Sequence, residues 1–319
     1  MRATDRACDA PLIGLSSLDE LWFQVAGTRC NLQCAHCFIS CSPHNKTYDF
    51  LTLDDVLRGL EAGQRYGVRE YYFTGGEPFL HPQLVAMLKA TLEVGPATVL
   101  TNATVLKPEW LEELAAAEQG SPYSLEFRVS LDGPCPEIND PIRGAGTFDR
   151  AMVGVRRLVE AGFLPIITMT RTWDMEQDTE IVARFREVLA QQAGYTRARL
   201  KILPRLQIGA EARRTCGYRP SERVTAEMLE GFDRSHLLCD HARVITDRGV
   251  AVCPILLDFP DALLGRDLDE AVEQPFALCH GACYTCYLHG AICSNPAVAG
   301  TRRGASAGQS DPATDHPAS

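Results

Sequence analysis

Cys30, Cys34, Cys37 and Cys41 fall in one short stretch, and the first three form a C-x3-C-x2-C run, Cys30-Asn-Leu-Gln-Cys34-Ala-His36-Cys37. Thiolates at this spacing suit an iron–sulfur cluster, which is held by cysteine sulfur. Three ligands leave one iron without a protein thiolate, and an open position on a metal is where chemistry occurs. Two other readings stand beside this one: a zinc site, and a cluster closed by Cys41 as fourth ligand. A second group, Cys239, Cys253, Cys279, Cys283, Cys286 and Cys293, runs C-x13-C and then C-x3-C-x2-C-x6-C. Its plain reading is a zinc ribbon with two ligand pairs. Of the thirteen cysteines, only Cys8, Cys135 and Cys216 stand apart, and these are expected to be ordinary packing or surface thiols. An odd count, with no export signal at the N-terminus, argues against a disulfide framework.

Composition narrows the partners. The 319 residues are 45% apolar, enough for a sizeable core, and the net charge is −10. With no basic run, a nucleic-acid partner is not expected, because phosphate binding needs a positive footprint. No apolar run reaches the about 18–20 residues that span a bilayer, so no membrane partner is expected and cytoplasmic location is the default.

Regular elements must position these cysteines. Apolar runs at 21–26, 70–74, 97–101, 125–131, 165–170 and 199–203 read as strands. Helical spacing occurs at 53–66, with Thr52 as N-cap, and at 82–94, 108–117, 148–161 and 176–191. Six β/α alternations predict an α/β fold with a parallel sheet, a partial (β/α)6 TIM-like barrel, whose ligands gather at the C-terminal strand ends. The pattern predicts a core domain over 1–220. A small cysteine-rich region is expected over 221–299, opening with a helix at 221–236. A disordered tail rich in Gly, Ala, Ser and Pro is expected over 300–319. Only about 20 residues precede the first strand, which leaves no expected room for a fused leader-recognition domain.

The strand ends carry further motifs. Thr74-Gly75-Gly76-Glu77-Pro78 follows the second strand; its glycines allow close backbone approach to a ligand. Asn102 ends the third strand. Ser130-Leu131-Asp132-Gly133 ends the fourth, where Asp132 caps a turn as readily as it touches ligand, and Arg143-Gly144 follows.

The C-x3-C-x2-C run after the first strand and the Gly-Gly-Glu-Pro run after the second resemble the signature motifs of the radical S-adenosylmethionine (SAM) superfamily. The likeness spans about residues 21–293. It implies a [4Fe–4S] cluster on Cys30, Cys34 and Cys37 as the catalytic centre. SAM would chelate the open iron and be cleaved reductively to a 5′-deoxyadenosyl radical that abstracts hydrogen. It also implies His36 near the adenine, Gly75, Gly76 and Glu77 at the SAM amino group, Ser130 at the ribose, Asn102 at ribose or substrate, and Arg143 at the carboxylate. The Arg fork pairs a carboxylate bidentately. Lys201 and Pro204 would lie near adenine or substrate.

The second group resembles a SPASM or shortened twitch region, implying one or two auxiliary [4Fe–4S] clusters on Cys239, Cys253, Cys279, Cys283, Cys286 and Cys293. It departs from the seven-cysteine SPASM order, with six cysteines and C-x3-C-x2-C-x6-C in place of C-x2-C-x5-C-x3-C. Nearby His241, His280 and His289 are expected to pack or face solvent. The resemblance implies a maturase acting on a peptide or protein side chain, with a reductant such as flavodoxin or ferredoxin. Two alternatives are an enzyme of small-molecule or cofactor biosynthesis and a non-catalytic iron–sulfur or zinc protein. No catalytic acid or base is legible; Asp258, Tyr284 and Tyr287 are merely near the second group.

Overall fold

Strand side chains alternate between faces, and this alternation sorts the apolar residues into two cores. The computed structural model describes residues 10–293. In chain order its elements are β1 (Leu12–Ile13), β2 (Glu20–Phe23), α1 (Leu53–Tyr66), β3 (Glu70–Phe73), α2 (Leu84–Thr91), β4 (Ala97–Thr101), α3 (Pro108–Gln119), β5 (Leu125–Ser130), α4 (Pro136–Arg143), α5 (Thr147–Glu160), β6 (Ile166–Thr170), α6 (Asp178–Ala193), β7 (Arg199–Leu203), α7 (Gly209–Thr215), β8 (Ala242–Thr246), β9 (Gly249–Ala251), β10 (Leu263–Gly265), α8 (Leu268–Val272), β11 (Phe276–Ala277) and α9 (Gly281–His289).

The six alternations are present as β2 to β7, paired in parallel in sequence order. Leu21 and Phe23 of β2 face the helix layer with Tyr71 and Phe73 of β3. Trp22 and Tyr72 point the other way, into the barrel, and stack with ring centroids 4.1 Å apart. Such a pair contributes about 0.5–1.5 kcal/mol beyond its buried area. Helix α1 starts where the sequence predicts: Asp55 N–H donates to the Thr52 hydroxyl at 3.1 Å and Thr52 N–H to the Asp55 carboxylate at 2.8 Å, a reciprocal cap.

The sheet extends further than the alternation predicts. β8 lies parallel on the free side of β2, with Glu20 opposite Ala242, and carries the antiparallel strands β9 and β10. The cysteine-rich region therefore continues the barrel sheet, and the expected boundary at 220 falls between two of its strands. The sheet ends at β7 and β10 without closing, which keeps the barrel partial. The inner core joins Cys30 and Ile39 to Val244, Cys253 and Cys286.

The helix expected over 221–236 is corrected. That segment holds only short 3₁₀ turns at Glu227–Leu229 and Arg234–His236. Gly231 between them takes φ 72°, a left-handed conformation that ends helical propagation. The expected tail over 300–319 lies outside the described residues.

Candidate active site

The cysteine run leaves the C-terminal side of β2 as irregular chain and is held there by backbone bonds from four directions. Cys30 N–H donates to Ser42 O at 3.2 Å, and Glu77 N–H to Arg29 O at 3.0 Å. Ala35 N–H donates to Ile142 O at 2.7 Å, and Ala210 N–H to Cys37 O at 2.9 Å. Close approach makes Gly76 obligatory: a Cβ there would lie 2.0 Å from Arg29 O. We expect Gly76→Ala to lower stability by about 1–3 kcal/mol through overpacking and to lower retained iron. Thermal unfolding and iron content check this.

Cys30, Cys34, Cys37 and Cys41 line one cavity of about 200 Å³, together with His36, Gly75, Gly76, Asn102, Ser130 and Arg143. Burial pushes the Cys30 thiol up to about 12 and Cys34 up to about 11, with Arg143 opposing the latter. Cys37 goes the other way, to about 6, because the Cys41 thiol and N–H donate to its sulfur, the N–H at 3.2 Å. Buried thiols of raised pKa ionise readily only against a cation, which is what a bound metal centre supplies. Among the described residues no three His, Cys, Asp or Glu converge tightly enough to hold a single metal ion. The thiols surround a cavity instead of a point, which suits a multi-iron cluster.

Glu77 differs from expectation, since it does not line the cavity. Its carboxylate is fully buried and accepts from Thr101 Oγ1 at 2.7 Å, Phe79 N at 3.1 Å and Asn102 N at 2.7 Å. Burial pushes it up to about 7 against those three bonds. It ties the end of β3 to the end of β4, while the Gly75 and Gly76 backbone faces the cavity. Asn102 donates to Asn31 Oδ1 at 2.9 Å and lies 3.7 Å from Cys30 Sγ.

Asp132 is the site residue whose role sequence reasoning missed. It is fully buried, and its Oδ2 stands 2.6 Å from both His36 Nε2 and Arg143 Nε. The Arg143 contact is an ion pair, not an aligned hydrogen bond. Oδ1 accepts from Thr170 N–H at 2.8 Å. Burial would raise this carboxyl, but Arg143 and then His36 outweigh it and hold it well below the usual range. The available signal was period-two alternation: Ser130 faces the cavity, so Asp132 follows on the same side.

Arg128 and Lys201 also line the cavity. Arg128 donates to Cys293 O and packs over the Tyr72 ring. Burial, then repulsion from Arg128, pushes Lys201 down to about 8.

Cys239, Cys253, Cys283 and Cys286 line a second, apolar cavity of about 20 Å³ walled by Leu237, Leu238 and Leu256. Cys283 and Cys286 share one face of α9 at i, i+3. Burial pushes Cys239 up to about 12 and Cys253 up to about 11, and drives Cys283 and Cys286 well above the ordinary value. Cys293 lines the larger cavity instead, while within electrostatic reach of Cys253. Cys279 lines neither of the two cavities. His280 pairs with Asp261 at 2.9 Å and His241 lies 3.8 Å from Glu20. Cys8 lies outside the described residues; Cys135 precedes α4 and Cys216 is exposed.

A strand-end cavity ringed by three spaced cysteines and a glycine turn, on a partial parallel barrel, defines a class, and the profile of the radical SAM superfamily matches residues 25–185. The chain belongs to that superfamily. It is 30% identical over 168 residues to the mycofactocin maturase MftC of Mycobacterium tuberculosis, covering 50% of this chain and 41% of the relative. It is 31% identical over 170 residues to the AdoMet-dependent heme synthase of Methanosarcina barkeri, covering 52% and 46%. The chain thus spans less than half the length of these relatives. Streptococcus suis SuiB, bound to precursor peptide SuiA, shares the fold with TM-score 0.59 at 16% identity, over 82% of this chain and 64% of that one. Among the described residues no helix is long and apolar enough to cross a membrane.

Proposed function

We propose that this chain cleaves SAM reductively in the larger cavity and abstracts hydrogen from a peptide or protein side chain. The observation that carries the reading is the convergence of Cys30, Cys34 and Cys37 with Gly75, Gly76, Ser130 and Arg143 on one cavity. Cys30, Cys34 and Cys37 would hold a [4Fe–4S] cluster, which would supply the one electron that splits SAM into methionine and the 5′-deoxyadenosyl radical. Cys41 is hydrogen-bonded to Cys37, so its sulfur duplicates that position instead of reaching a fourth iron. This favours the open-iron arrangement.

The chain's own residues divide the binding work. The half-buried backbone of Gly75 and Gly76, which lines the cavity, accepts the SAM amino group. Arg143, held by Asp132, pairs the carboxylate. Ser130 and Asn102 hydrogen-bond the ribose, and His36, fixed through Nε2, packs against the adenine. Cys239, Cys253, Cys283 and Cys286 form a complete four-thiolate set for one auxiliary [4Fe–4S] cluster. The maturase name of MftC and the peptide bound to SuiB support a peptide substrate. The heme synthase relative favours a second reading, a small molecule bearing the reacting carbon. A flavodoxin- or ferredoxin-type reductant is part of the proposal.

Anaerobic reconstitution should give about eight irons per chain, and SAM with dithionite should give 5′-deoxyadenosine. Cys283→Ala should lose about four irons, keep SAM cleavage and impair substrate turnover. Zinc in place of iron, or iron without 5′-deoxyadenosine, would overturn the proposal.

A further inference from the structure

Arg243 lies on β8 beside the four-cysteine cavity and is completely buried. Its guanidinium donates to Ala242 O at 2.8 Å, Cys239 O at 2.9 Å, Ala271 O at 3.2 Å and Gln274 O at 3.4 Å. All four acceptors are neutral carbonyls. Among the described residues no carboxylate comes within 4.0 Å of it. A guanidinium stays charged in a protein, and a buried charge is retained only against a counter-charge.

The carbonyl it holds at 2.9 Å belongs to Cys239, which lines the four-cysteine cavity, and the carboxylate nearest in sequence is Asp240. Asp240 is already engaged, 2.8 Å from Arg234 and accepting from Ser16 Oγ at 2.9 Å. Metal-bound thiolates in the adjoining four-cysteine cavity would supply the missing counter-charge.

We infer that Arg243 is a positioning residue that balances the charge of the cluster held by Cys239, Cys253, Cys283 and Cys286 and raises its reduction potential. This rests on the four-cysteine reading above. Four thiolates outweigh the charge of a [4Fe–4S] core, and reduction from the 2+ to the 1+ core adds one more negative charge. A fixed cation behind Cys239 stabilises the more negative state, and net charge and hydrogen bonding set cluster potentials. Through the Cys239 carbonyl the same guanidinium holds that ligand's backbone against Ala271 of α8. A raised potential suits a cluster that would take one electron from a substrate radical as that radical is oxidised.

The test is a dithionite redox titration of the reconstituted full-length protein, followed by electron paramagnetic resonance. SAM is present so that its effect on the first cluster tells the two signals apart. Arg243→Gln, which keeps an amide donor but no charge, should lower the auxiliary midpoint by at least tenfold in the reduction constant, about 59 mV for one electron. Arg243→Lys should stay close to wild type. Asp240→Asn, which removes the nearby negative charge, should move the midpoint upward. If the Gln variant holds no iron, Asp240→Asn decides: a higher midpoint supports the inference and an unchanged one overturns it. Iron bound with unchanged midpoints in both variants also overturns it. No iron on these cysteines in the wild-type protein would instead overturn the four-cysteine reading.

Discussion

Cys34→Ala should form no detectable 5′-deoxyadenosine and should retain about four irons, those of the C-terminal site. The thiol lines the larger cavity beside Arg143, and burial keeps it protonated until metal binds. Removing it leaves Cys30 and Cys37, and Cys41 cannot substitute while it is committed to Cys37. Cys34 lies in irregular chain and packs only at the edge of the inner core, so the metal-free variant should unfold within about 1 kcal/mol of wild type. Iron analysis, product chromatography and thermal unfolding read these outcomes separately. Cleavage at the wild-type rate would remove the assignment of Cys34 to the catalytic centre.

Asp132→Asn should have the second largest effect. Asn preserves the shape and the Thr170 N–H bond but leaves the Arg143 guanidinium without its counter-charge beside the thiols. Breaking a buried ion pair by removing one partner costs about 3–5 kcal/mol. Loss of a group that orients the ligand loop typically lowers activity about 10–100-fold, here read as SAM cleavage at sub-saturating SAM.

The pH dependence has a defined sign. Asp132 is held below its ordinary value in the folded protein. Its stabilisation is therefore fully present above about pH 4 and is lost as pH falls through the folded pKa. The stability gap between wild type and Asp132→Asn should be widest near neutrality and should narrow in acid. Urea unfolding across that range measures it, and a constant gap would show that the Asp132 charge is not what stabilises the site.

Much of this protein is legible in its sequence alone. The C-x3-C-x2-C run and the Gly-Gly-Glu-Pro run are local motifs, complete within a few residues. Strand and helix periodicity places them at the ends of β2 and β3, because burial on one face imposes its repeat on the sequence itself. Thr52 announces the start of α1 for the same reason, since a cap is made with a residue three positions away.

The remaining features depend on partners distant in sequence. Asp132 meets His36 across 96 positions and Arg143 across a helix, and no spacing rule reports such a meeting. Glu77 reads as a ligand-facing carboxylate in its motif, yet the loop after β3 buries it against Thr101 and Asn102 at the end of β4. The six C-terminal cysteines look equivalent as a set of spacings. Packing gathers four of them around one cavity and turns Cys293 into the other. Local chain geometry is written in neighbouring residues, whereas the identity of ligands, counter-charges and orienting groups depends on which strands lie side by side, and pairing in a parallel sheet is a property of the whole chain.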